Sequence, residues 1–130
     1  MDANFSKVKK FINDLDLMIV KENPDSGLFV VENEDEGIKN VIIAVSDPIV
    51  IIQQHIFDIK NDKPEIYKSL LKKNQDIIHG AFTLDESGKK VLFRDTLQLE
   101  NLDLNELEGS LQSLSLLMTE YAEKILEYSA

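Results

Sequence analysis

The chain has no cysteine and no tryptophan, five glycines, three prolines and one arginine. Each shortage closes off a class of protein. Without cysteine there can be no disulfide framework, no thiolate nucleophile and no thiolate metal site. The five glycines are too scattered to build a phosphate-binding loop, and no Gly-x-Ser-x-Gly elbow is present. The longest wholly apolar run is Val41 to Val45, far short of a membrane span. Positive charge is also scarce. Thirteen lysines and Arg94 face 24 acidic residues, and the net charge is −10. Such a chain is repelled by phosphate backbones and by anionic lipid, and its lysines are dispersed in small groups, so neither nucleic acid nor membrane is expected as a partner. The segment from Met1 to Lys10 is charged and lacks the apolar stretch of a signal peptide, so a cytoplasmic, soluble domain is expected.

What is present is enough to fold. Hydrophobic residues make up 43% of 130 residues, which fits one domain with a real core. Phe5, Val8, Ile12 and Leu15 recur at helical spacing and predict a first helix over 4–16, capped by Asp2 or Asn4. A short strand can follow at 17–21. Asn23-Pro24-Asp25-Ser26-Gly27 reads as a turn into a strand over 28–32, and Glu34-Asp35-Glu36-Gly37 as the next turn. Residues 41–45 and 49–56 are two more strands, broken at Ser46-Asp47-Pro48.

A second helix is expected to begin near Asp62, with Asp62 and Glu65 at capping-box spacing and Pro64 in the first turn. A hairpin of residues 78–84 and 91–97 should close around Asp85-Glu86-Ser87-Gly88. Beyond Asp103 the apolar residues Leu104, Leu107, Leu111, Leu114, Met118, Tyr121, Ile125 and Tyr128 alternate in steps of three and four. That seam predicts one helix of about 24 residues, roughly 36 Å long, packed on a sheet. The fold class is α+β in the order α-β-β-β-α-β-β-α, an antiparallel sheet with helices packed on it, with room for one further short strand after the first helix.

The strands over 41–45 and 49–52 are apolar on both faces, whereas a sheet wet on one side alternates. Something should therefore cover the second face: the second helix, another copy of the chain, or a partner. Candidates for chemistry are few. His55 and His79 lie in no metal-binding or catalytic motif. Glu32, Glu34, Glu36 and Gly37 begin like a calcium loop, but Ile43 stands where the bidentate glutamate is needed. Arg94, the one candidate anion clamp, is read as a cross-strand ion pair or a stem lying over apolar surface. No catalytic residue, metal ligand or cofactor is assigned, and a small-ligand site built on Arg94 is the weaker alternative.

In this order the elements resemble the class I type III secretion chaperone fold, the superfamily of the CesT/Tir chaperones and the YbjN proteins. The likeness rests on the first helix with Phe5, Val8 and Ile12, and on Leu70-Leu71-Lys72-Lys73-Asn74, which is similar to a Leu-Leu-x-x-Asn helix end. It extends through Ala81 to Asp85, Gly88 and Val91 to Arg94 in the hairpin. Leu102-Asp103 with Glu106-Leu107 then resembles the family's entry to its last helix. The resemblance implies a non-enzymatic homodimer that binds an extended protein client. It further implies a dimer interface using Tyr67, Leu70, Leu71, Phe82 and Leu92, and a client groove using Phe29, Val31, Val41 and Ile43. YbjN-type members imply the alternative, a regulatory or stress-related domain without a secretion client.

Overall fold

The computed structural model describes residues 2–130. Helix α1 spans Ala3–Asp14, followed by strands β1 (Met18–Asn23), β2 (Leu28–Asn33), β3 (Ile38–Ser46) and β4 (Ile49–Asp58). Helix α2 (Pro64–Asn74), strands β5 (Ala81–Leu84) and β6 (Lys90–Gln98), and helices α3 (Leu104–Glu120) and α4 (Ala122–Tyr128) complete the chain. The strands form one antiparallel sheet of six in the order β1-β2-β3-β4-β6-β5. The expected short strand after the first helix is therefore present as β1.

The local signals explain most boundaries. The Asp2 carboxylate accepts from the Asn4 backbone N–H at 3.0 Å and caps α1, and Asp103 accepts from the Glu106 N–H at 2.8 Å and caps α3. At α2 the expectation is corrected. The helix starts at Pro64 after Lys63, no side chain caps it, and Asp62 lies outside it. Pro at the first helical position has no N–H to leave unpaired and has φ already set, which favours a start there, and the Ile66 N–H bonds the Lys63 carbonyl at 3.0 Å. Strand β5 is shorter than expected. Gly80 has φ +86°, and its Cα lies so close to the Phe93 ring that any Cβ would collide with it.

The long last helix is also corrected, because it breaks at Tyr121. There the backbone leaves helical geometry (φ −105°, ψ 9°), the Tyr121 hydroxyl shares a 2.6 Å hydrogen bond with Ser69 Oγ, and the ring packs tilted on Phe82 at 5.4 Å. The apolar seam continues through the break, since Tyr121 and Ile125 are both buried.

The helices pack on one face of the sheet. Phe5 of α1 stacks on Phe29 of β2 with ring centroids 4.3 Å apart, and Ser110 of α3 donates to the Asp95 carboxylate of β6 at 2.7 Å. Tyr121 carries α2 and the α3–α4 junction onto Phe82. The core between the layers holds Val8, Ile12, Phe29, Val31, Val41, Ile43, Val50, Ile52, Val91, Phe93, Leu107 and Leu114, all essentially without exposure.

One core residue is mismatched to its site. Gln54 faces the helices beside Phe93, is 7% exposed, and its Oε1 has no hydrogen-bond partner. An unpaired buried amide oxygen costs about 1–3 kcal/mol. Gln54→Met, close in shape and free of that oxygen, is expected to stabilise the fold by about 1 kcal/mol. Urea unfolding would measure it, and a lower midpoint at unchanged slope would refute it.

Candidate functional site: an open sheet face and a closed edge

Alternation along a strand sends neighbouring residues to opposite faces. Since Phe29, Val31, Val41, Ile43, Val50 and Ile52 point to the helices, the residues between them point away. On that outer face Val30 sits opposite Ile42, Leu28 opposite Ala44, and Ala44 opposite Ile51. Ile42 is 37% exposed, and Leu28, Val30, Ala44, Ile49 and Ile51 are half-buried among themselves. Neither α2 nor any other helix covers them. This is the second apolar face anticipated from the sequence, and within one copy of the chain it is open.

Its charged groups lie at the margins. Glu32 and Lys21 flank the stripe on one side. On the other, Arg94 lies exposed between Gln53 and Ala81. Among the described residues Arg94 has no ion pair, and its neighbour Asp95 turns inward to Ser110. At the far corner His55 Nε2 lies 2.7 Å from Asp58 Oδ1, with Lys90 Nζ at 3.6 Å from the same oxygen. The hydrogen bond with His55 holds the Asp58 carboxyl below its usual pKa, with the Lys90 charge acting in the same direction.

The four residues expected to form a client groove, Phe29, Val31, Val41 and Ile43, are each 0% exposed. That expectation is corrected, because they are core beneath α1 and α3. Apolar residues of both parities line these strands, so composition does not distinguish the face that meets the helices. Had the facing helix been known, the same strands would have given Val30, Ile42, Ala44 and Ile51.

Four of the five expected dimer residues come together. Tyr67, Leu70, Leu71 and Phe82 line a depression of about 290 Å³ with Asn74, Thr83 and Leu84, where α2 meets β5. Leu71 is 70% exposed and Leu84 44%. Leu92 is apart from them: Val91 and Phe93 on either side are buried inward, so Leu92 lies on the outer face opposite His55 and Thr83. Tyr67 projects from α2 toward Asp62, whose hydrogen bond to the hydroxyl raises its pKa. Burial raises that of Tyr121 as well, against the opposing pull of Ser69.

Asn74 gives the Leu-Leu-x-x-Asn helix end a physical role. Its amide Nδ2 donates to the Phe82 carbonyl at 3.1 Å, and its Oδ1 accepts from the Phe82 N–H at 2.7 Å. β5 is an edge strand, and this side chain takes up the main-chain groups of Phe82 that a further strand would need. Among the described residues no side chain does the same for the other edge, β1. It carries exposed Met18 and Val20, with a bulge between Ile19 and Lys21.

Among the described residues no group of three or more His, Cys, Asp or Glu is placed to hold a metal ion, and no helix is long and apolar enough to cross a membrane.

The profile of one protein family, CesT_Tir_1, matches residues 1–130. The chain belongs to the CesT_Tir_1 family. No curated protein matches it. Solved structures share the fold at low identity. YbjN from E. coli superposes with a TM-score of 0.70 at 12% identity, covering 92% of this chain and 91% of that one. A chain of the HopA1–SchA chaperone–effector complex gives 0.68 at 15%, with 95% and 98% covered. The structure of the Yersinia pestis type III secretion chaperone SycH in complex with a stable fragment of YscM2 gives 0.61 at 19%, with 98% and 100% covered. The α+β architecture and the element order of this chain are thus those of the CesT_Tir_1 and YbjN group, and some of its structural neighbours were solved with protein partners.

Proposed function

We propose that the protein is a non-enzymatic, chaperone-like binding module of the cytoplasm that takes an extended segment of a client protein on the outer sheet face. The observation that carries this is the uncovered apolar stripe of Leu28, Val30, Ile42, Ala44 and Ile51 on an otherwise complete fold. A stripe of this kind, apolar at its centre and charged at its margins, has the composition of an interface core. The β1 edge beside it allows main-chain pairing, with the stripe supplying pockets for alternate side chains. Family membership, together with neighbours solved as chaperone–partner complexes, supports a protein as the ligand.

The chain works as a homodimer through the α2–β5 depression. With Asn74 occupying Phe82, the two copies meet through side chains such as Leu71, Leu84 and Tyr67 rather than by joining strands.

Tagged wild type and Ile42→Glu would be used to capture partners from a lysate of the source organism. One near-stoichiometric partner that Ile42→Glu loses, while its melting curve stays close to wild type, supports the client reading. Retention of that partner by Ile42→Glu, or self-association alone across growth conditions, sinks it and leaves the YbjN-like regulatory domain. Light scattering on Leu71→Glu tests the dimer separately: a monomer is expected, and an unchanged dimer would move the interface elsewhere.

A further inference from the structure

Arg94 is the one arginine of a chain with 24 acidic residues, and the fold gives it no partner. Among the described residues no ion pair uses it, and its guanidinium, five N–H donors in a planar fork, is free. The carboxylate next to it in the chain is turned away: Asp95 lies on the helical side of the sheet, in its hydrogen bond with Ser110.

Arg94 belongs to a rung of side chains that crosses the outer face. Lys21, Val30, Ile42, Gln53, Arg94 and Ala81 are successive register partners on β1, β2, β3, β4, β6 and β5. The next rung, Asn23, Leu28, Ala44, Ile51 and Thr96, carries no charge. Strands lie about 4.8 Å apart, so Arg94 stands about 10 Å from Ile42, at the side of the apolar stripe. The carboxylates of this face are at its margins. Asp58 is opposite Lys90, four residues along β6 from Arg94 and so about 13 Å away, and is held by His55 and Lys90. Asp85, beyond the end of β5, is taken up by Ser87 and the Lys90 N–H. Glu32 is three strands off on the side of Lys21, at least about 14 Å away. Exposed charges farther apart than about 8 Å are largely screened at physiological salt, so the surface beside Arg94 is locally cationic although the whole chain carries −10.

We propose that Arg94 selects the client: the segment laid across the stripe carries an Asp or Glu that pairs with this guanidinium. The proposal rests on the client reading of the outer face and adds a chemical class to it, an extended segment both apolar and acidic. Same-side residues of such a segment recur every 6.7 Å or so, which places the acid two or four residues from the apolar side chain over Ile42, with the long arginine stem covering the difference. In open solvent an ion pair of this kind contributes little. Under a bound segment water is excluded, and the fork can hold both carboxylate oxygens at once. Arginine suits the position because it is more weakly hydrated than lysine and is therefore easier to cover. A client with Lys or Arg at the same place is rejected, since like charges would be buried against each other.

The test uses the full chain and three dye-labelled peptides of about twelve residues. All have Val at alternate positions in a Ser and Asn background. They differ only two residues past the last Val, where one has Glu, one Gln and one Lys. By anisotropy the Glu peptide is expected to bind about tenfold more tightly than the Gln peptide, with the Lys peptide weakest. The difference should shrink in high salt. Arg94→Gln, a change at an exposed position, should melt as wild type and bind the Glu and Gln peptides alike. Arg94→Glu should reverse the order, so that the Lys peptide binds best. Because the chain has one arginine, its Nε–H gives a single signal, which should shift with the Glu peptide and stay in place with the Gln peptide.

Equal binding of the Glu and Gln peptides to wild type, or a preference that survives Arg94→Gln, overturns the proposal and leaves the stripe a purely apolar acceptor. A change of oligomeric state in Arg94→Gln, read by light scattering, also overturns it, by placing a second copy of the chain over Arg94. Failure of the client reading looks different: Ile42→Glu, expected to weaken all three peptides, would bind them as wild type, or wild type would bind none.

Discussion

Replacing Val41 by aspartate is expected to unfold the protein, whereas the same change one residue later, at Ile42, leaves it folded. Val41 is 0% exposed, paired with Val31 on β2 and covered by the helical layer. A carboxylate there has no cationic partner. Desolvating an unpaired charge costs several kcal/mol even after the protein relaxes. Substitutions of this kind belong to the rare class above about 4–5 kcal/mol, and domains of this size have only about 5–15 kcal/mol in total. Ile42 points to the outer face and is already in contact with water. Aspartate is a poor strand former, but on an exposed face that preference spans only about 1 kcal/mol. Far-ultraviolet circular dichroism through a thermal melt reads the contrast directly. Two variants with similar melting curves would mean that the faces have been assigned the wrong way round.

Gly27→Ala is the second large effect. Gly27 ends the β1–β2 turn at φ +72°, in the left-handed region that costs an L-residue about 1–2 kcal/mol. Its carbonyl accepts from the Val45 N–H at 2.7 Å, which brings the turn onto β3. A Cβ on Gly27 would overlap the Val45 carbonyl oxygen. That neighbour is backbone within the sheet and cannot swing aside as the end of a long side chain could. Strain and overpacking together should cost about 2–5 kcal/mol. The same substitution at Gly37 has a similar φ of +70° but nothing within 4 Å of the new methyl. It should therefore cost only the backbone share. If the two variants lose equal stability in urea, the close approach to Val45 is not what constrains Gly27.

How far the sequence could be read depended on whether a signal was local. Phe5, Val8 and Ile12 all lie on one side of α1 because helical periodicity names a single face, and those three are its buried residues. The aspartates at 2 and 103 cap as expected because a cap needs only its next few residues. In β3 and β4 the apolar residues occupy both parities, so periodicity says that both faces are dry and cannot say which one meets the helices. The family resemblance implies Val41 and Ile43 at a client groove, periodicity could not check which face they take, and they are core while Ile42 between them is exposed.

The break at Tyr121 was hidden because the three-and-four spacing passes through it unchanged. The contact made there, the hydrogen bond between Tyr121 and Ser69, joins residues far apart in the chain. Ser110 is fully buried for a similar reason: its partner Asp95 is on another element, and a lone serine in a helix gives no hint of it. Asn74 was visible as part of a family pattern. Its job at Phe82 became apparent only with the strand order in hand.

The Asn74 contact has a consequence for assembly. Edge-to-edge growth of sheets is a polymerisation, and a monomer must offer two reactive ends for it to continue. Here one end is terminated from within by a side chain of the chain's own helix. Any continuous sheet formed through β1 therefore stops when two edges have met, with a strand whose Phe82 main-chain groups are already taken up at each outer end. A protein that keeps an apolar sheet face exposed can thereby remain available for a partner without acting as the seed of a fibre.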